Sequence, residues 1–298
     1  MIVRDRPSFR DVLFATRGSI LPRVLKPLLF ILAMSVGAVL LSRQHPAFLS
    51  GLSAMPFTLV GLSLSIFMSF RNTSCYDRWW EGRKLWGQLL ISSRAFARQV
   101  ATIEPVERAR LLEGLCGFAA GLAARLRGAD EQQAIQRHLA PGAWCHAPNP
   151  TDAAIAAVGR RCLDLVASGA IDPIHYSVLE RQLTDLSHVQ GGCERIKGTP
   201  LPFAYSLLLH RTAYAFCLLL PFALAPALGW WTPLPTFLVS YAFFGLDALG
   251  DELGDPFGTE ENDLPLDAIV RQVERELLHA AGRETLPPPI APRDFVLT

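Results

Sequence analysis

The sequence predicts an all-α membrane protein, with four membrane-spanning helices and a helical domain in water. Three observations carry that expectation. Half of the 298 residues are hydrophobic. Only 18% are charged and mean hydropathy is +0.26, against roughly 25% charged residues in soluble domains. Long apolar stretches stand near both ends of the chain, and no segment alternates apolar and polar residues between hairpin turns.

The first apolar stretch is 20–41, with Arg23 and Lys26 near its start, and the second is 55–70. A helix needs ~20 mainly apolar residues to cross a bilayer, and both are marginal by that measure. The short link 42–54 joins them as a helical hairpin. The third stretch, 201–228, contains His210, Arg211, Pro221 and Pro226, and the fourth, 230–249, runs into acidic residues. Proline inside a span requires neighbouring helices to satisfy the freed carbonyls. Basic residues flank the spans: Arg17, Arg23 and Lys26 before the first, Arg71, Arg78, Arg83 and Lys84 after the second, Arg195 and Lys197 before the third. The outer links hold only Arg43 and His45. The positive-inside rule then places both termini, 71–199 and 250–298 in the cytoplasm. The N-terminus, with Arg4, Asp5, Arg6, Arg10 and Asp11, does not read as a signal peptide.

Within the middle segment, 88–100, 106–126 and 153–166 have helical periodicity. A loop with Pro141, Pro148 and Pro150 covers 142–150, a helix begins near Pro265, and the tail from Leu286 is extended through Pro287, Pro288 and Pro289. The whole chain, 1–298, reads as one domain.

Several function classes are disfavoured. A net charge of +1 gives no electrostatic case for nucleic acid. The six cysteines, Cys75, Cys116, Cys145, Cys162, Cys193 and Cys217, lie in no zinc or redox spacing and read as free thiols. There is no P-loop, GxGxxG, GxSxG or HExxH, so neither an enzyme nor a bound cofactor or metal is expected. Gly191-Gly192 reads as a structural turn. His210-Arg211 inside an apolar span admits two readings, a functional pair or side chains that snorkel or pair with a cytosolic acid.

In the second span Gly61, Ser65 and Ser69 recur every four residues, which favours close helix approach. Leu62, Ile66 and Phe70 recur beside them. Such a stripe can face lipid, a core, or the axis of a helix ring, where apolar rings gate a pore by dewetting.

Four short motifs then stand in order: Arg17-Gly18-Ser19-Ile20, Arg78-Trp79-Trp80, Leu201-Pro202 and Asp255-Pro256-Phe257-Gly258. Together they resemble the bestrophin family over nearly the whole chain, and the stretch Cys193 to Tyr205 is similar to its bacterial branch. The resemblance implies a homopentameric channel in the bacterial inner membrane, with lipid, monovalent ions and other copies of the chain as its partners. It implies a hydrophobic neck at Leu62, Ile66 and Phe70, and a cytosolic aperture at Ile174, after Asp172-Pro173. The rival placement for Ile174 is an ordinary core position at a helix start. Bacterial members point to cations, whereas animal members conduct anions, so anion conduction is the alternative. Animal members also clasp calcium with an acidic run. Here that run is Thr259-Glu260-Glu261-Asn262-Asp263, diluted by Thr259 and Asn262, and it reads as a capped, solvated turn. A secondary transporter would need repeat symmetry, and the two hairpins are not visibly related.

Overall fold

The computed structural model describes residues 1–3, 18–49, 51 and 54–298. Arg17 of the first motif and the charged residues from Arg4 to Asp11 lie outside them. The described helices are α1 (Leu21–Gln44), α2 (Pro46–Leu49), α3 (Met55–Gln99), α4 (Pro105–Leu126), α5 (Glu131–Gln136), α6 (Pro150–Ala167), α7 (Pro173–Gly198), α8 (Phe203–Leu228), α9 (Pro233–Gly254) and α10 (Leu266–Ala280). Short 3-10 turns lie at Ala143–His146 and Gly229–Trp231. Among the described residues there is no β-strand, only isolated bridges between Ile2 and Val296 and between Arg293 and Val296. The chain divides into two compact units.

One unit holds residues 6–78 and 200–254, and its described helices are α1, α2, the first half of α3, α8 and α9. Its interior is apolar, built on Leu28 and Ile31 of α1, Leu64 and Met68 of α3, Phe216 of α8 and Phe243 of α9. Two of its helical stretches, Leu21–Gln44 and Phe203–Trp231, are long and apolar enough to cross a membrane. Of the other two expected spans, 55–70 opens α3, which runs on into Arg71, and 230–249 begins in the 3-10 turn and continues into α9, with Asp247 inside it. Much of this unit's outer surface is also apolar, including Leu25, Leu29 and Phe30 of α1 and Leu208 and Leu219 of α8. Burial against lipid or another copy accounts for such a surface better than water does.

Inside this apolar unit sits an ionic cluster. Arg71 is only 3% exposed, and its Nη1 donates to Asp247 Oδ1 at 2.6 Å and to the Asp247 carbonyl at 3.2 Å. Its Nη2 reaches Asp251. The second Asp247 oxygen meets His210 Nδ1 at 2.5 Å. Gly250 makes room for the cluster, because a Cβ there would stand 2.5 Å from Asn72 Oδ1 and 3.2 Å from Arg71 Nη1. His210 thus pairs with Asp247 of the neighbouring helix α9. Arg211 is exposed.

The other unit holds 79–199 and 255–298 with the N-terminal residues. Three of its helices begin alike, with Glu104, Asn149 or Asp172 capping and proline at the next position. Each cap oxygen accepts from free backbone N–H groups, and proline has no N–H to leave unsatisfied there. The core gathers Trp86, Phe96, Phe118, Leu122, Leu186 and Phe257. The expected helix 88–100 proves to be the end of α3, and the helix start expected near Ile174 opens α7, whose full length to Gly198 no periodicity had marked. Gly191-Gly192 is no turn but lies inside α7. A Cβ on Gly192 would stand 2.8 Å from Leu85 Cδ1, so the glycine serves close helix packing. The expected loop 142–150 carries one 3-10 turn. Burial pushes the Cys162 and Cys193 thiols up to about 12, which suits inert interior groups.

Arg71→Leu is expected to destabilise the detergent-solubilised protein by ~3–5 kcal/mol, because it strands the buried carboxylate of Asp247. The double variant Arg71→Leu with Asp247→Leu should lose less than the sum of the single changes. Thermal or denaturant unfolding of all three variants measures this; strict additivity would mean that the pair is not coupled.

Candidate pore-lining residues

The side of α3 that faces the core of its own unit is marked by Leu64, Met68, Arg71 and Cys75, all buried. At about 100° per residue, Leu62, Ile66 and Phe70 fall on the opposite side of the helix. They are 60%, 48% and 62% exposed. These three residues therefore form one continuous apolar stripe, turned away from the unit's own packing, with successive side chains ~6 Å apart along the axis. The core placement left open by the sequence is removed; lipid and a ring axis remain.

The small residues beside the stripe have separate tasks. Gly61 lies against Phe216 of α8, where a Cβ would meet Phe216 Cζ at 3.1 Å. Phe216 in turn touches Phe57 and Phe243, with ring centroids 6.1 and 5.4 Å away. Ser65 Oγ donates to the Gly61 carbonyl at 2.8 Å, so the hydroxyl is satisfied within its helix. Tyr205 Oη donates to the Phe67 carbonyl at 3.0 Å and ties α8 to α3 beside the stripe. The rotation of α3 is thus fixed from both flanks.

Ile174 belongs to the other unit. It is 78% exposed at the start of α7, so it is not the ordinary core position that rivalled the aperture assignment. Asp172 Oδ1 accepts from the Ile174 and His175 N–H groups at 2.8 and 2.9 Å. These bonds, that from His175 foremost, hold the Asp172 carboxyl below the usual carboxylate range. His175 Nε2 meets the Gln99 carbonyl at 2.7 Å. A bulky apolar side chain is thereby held out from a firmly anchored helix end.

The acidic run differs from the expected solvated turn at one residue. Asp263 is buried, and its Oδ2 accepts from the Glu260 N–H at 2.7 Å. Burial, opposed by that hydrogen bond, pushes its carboxyl up to about 6. Calcium needs six to eight oxygens, and Asp263 spends one of its oxygens on closing its own turn. Among the described residues no three His, Cys, Asp or Glu side chains are placed to hold a metal. Trp79 of the Arg-Trp-Trp motif donates Nε1 to the Asn262 carbonyl at 3.1 Å, which ties that motif to the acidic run.

Residues 1–279 match the family model described as Bacterial/Fungal Bestrophin protein. A voltage-dependent anion channel-forming protein of Mesorhizobium japonicum is 44% identical over 298 residues, covering 99% of this chain and 96% of that protein. A protein with the same description from Escherichia coli (strain K12) is 37% identical over 307 residues, with full coverage of both. The crystal structure of a bacterial bestrophin homolog from Klebsiella pneumoniae matches with a TM-score of 0.84 at 37% identity, over 88% of this chain and 100% of that one.

The buried Asp263 gives a pH dependence of stability with a definite sign. Its folded value, about 6, lies above the ordinary 3.8. Its contribution is therefore present in full below the ordinary value and is lost as pH rises through about 6. Asp263→Asn is expected to leave stability near pH 4 almost unchanged and to raise it near pH 7 by ~2 kcal/mol. Unfolding of both proteins across that range is the measurement; parallel curves would show that Asp263 does not titrate differently on folding.

Proposed function

The chain belongs to the Bacterial/Fungal Bestrophin family, and on that premise we propose that it is a passive ion channel built from copies of itself around one central pore. Its relatives bear channel names and its sequence contains no catalytic motif, so a channel is favoured over an enzyme. The observation that carries the reading is the outward stripe of Leu62, Ile66 and Phe70, on the opposite side of α3 from the unit's own core. In a ring of subunits each residue contributes one apolar ring per turn of helix. Water and ions lose hydration in such a neck, so its width controls conduction.

Ile174 is the proposed second constriction, supported by its exposure and by the Asp172 cap that fixes the helix end beneath it. We take the assembly to be a homopentamer in the bacterial inner membrane, with four spans per subunit and both termini in the cytoplasm. The supports are the family, the flanking basic residues and the apolar outer surface. Conduction needs no bound calcium on this reading, because the acidic turn is diluted and Asp263 is occupied. The proposed permeant ions are monovalent cations. Anion conduction is the second reading, favoured by the printed names of the relatives.

Planar-bilayer recording of the purified protein tests the neck. Ile66→Ala should widen the middle ring and raise the current, and Ile66→Phe should lower it. Assembly is checked alongside, so that a change in current is read only from correctly assembled protein. A correctly assembled Ile66→Ala channel with the parent's conductance and open probability would remove the stripe from the pore. Mass measurement in detergent should give five subunits; a monomer or dimer at micromolar concentration would contradict a ring.

A further inference from the structure

The neck stripe does not end at Phe70. Continuing along the same face of α3 at helical spacing come Thr73 and then Asp77, both exposed. Asp77 is the first ionisable residue on that face after Phe70. The other charges in this stretch point elsewhere. Arg71 is buried and spent on Asp247 and Asp251. Arg78 donates Nε to the Gly254 carbonyl at 3.1 Å. No ion pair or hydrogen bond among the described residues engages the Asp77 carboxylate. The structure therefore turns the basic side chains Arg71 and Arg78 toward their own unit and leaves one acid on the stripe.

We propose that Asp77 sets the ion preference of the channel, as a ring of unpaired carboxylates beyond the neck that draws hydrated monovalent cations to its mouth. The proposal rests on the pore reading of Leu62, Ile66 and Phe70 and assigns the sign that apolar rings cannot supply. Distance decides whether Asp77 can act. Seven residues of helix place it roughly 10 Å along the axis from Phe70, about one Debye length at 0.1 M salt. A further observation against a purely structural role is that Asp77 contributes no contact that would explain a carboxylate there, unlike Asp247, Asp251 and Asp172.

Reversal potentials of the purified full-length channel in a tenfold KCl gradient test this. The parent should favour potassium over chloride. Asp77→Asn should lower that preference by roughly two- to tenfold, from Coulomb's law in water at this distance with several copies and partial screening. Asp77→Lys should lower it further, and Asp77→Glu should retain it. The effect should grow as salt is diluted. An assembled Asp77→Asn channel with the parent's selectivity at low salt would overturn the proposal, as would a parent that prefers chloride. The Ile66→Ala channel separates the two readings. If it alters conductance while Asp77→Asn leaves selectivity untouched, the neck stands and the carboxylate ring falls. If Ile66→Ala matches the parent, the neck reading falls and Asp77 falls with it.

Discussion

The geometry of the apolar unit depends on the buried guanidinium of Arg71. A charge at 3% exposure is tolerated only when its hydrogen-bonding capacity is met. Here Asp247 and Asp251, one turn apart on α9, meet most of it. His210 of α8 closes on the free oxygen of Asp247, so three helices are fixed at one level. Because Arg71 must point inward, the residues on the far side of α3 must point outward. The orientation of Leu62, Ile66, Phe70 and Asp77 follows from that one requirement. The same bonds limit sliding of α3 along α9, which would separate a charged pair in a medium of low dielectric.

The unit that holds Ile174 solves a different problem. Ile174 is exposed where burial would ordinarily be favourable, so something else must hold it in place. The Asp172 cap, the proline that follows it and the bond from His175 to the Gln99 carbonyl supply that hold through the backbone. An exposed apolar residue on a rigid helix end costs little within the subunit, and its position is reproducible in every copy.

Much of this was legible in the sequence. Apolar runs announce α1, α8 and α9 because lipid-facing and core-facing residues are both apolar there. The stripe 62–66–70 was visible in the spacing and Ile174 was picked out by a family motif; all four side chains are exposed. What stayed hidden has particular causes. The middle of α3, between Arg71 and Leu85, looks polar because its buried side includes Arg71, Cys75 and Gly82, residues that periodicity does not count as core. Helix α7 was concealed by Gly191-Gly192, which locally favours a break and is retained because Leu85 packs against it. The Arg71–Asp247 pair joins residues 176 apart in sequence, beyond any local pattern. Its trace was the presence of one acid inside the fourth apolar run and one base directly after the second.

The unit containing α4 to α7 is discontinuous in the chain, and this bears on the order in which it can be made. Its core is completed by Phe257, Leu264 and Leu266 and by α10, with Arg94 paired to Glu276 across 182 positions. Those closing residues leave the ribosome only after α8 and α9. At 5–20 residues per second the interval between the two ends of that ion pair is about 10–40 s. Throughout it, the α4–α7 segment exists without the strap that covers Trp79, Gly82 and Trp86. Helices α8 and α9 are therefore synthesised before this unit can close, and nascent chains stalled before α10 carry an open core that a chaperone can recognise.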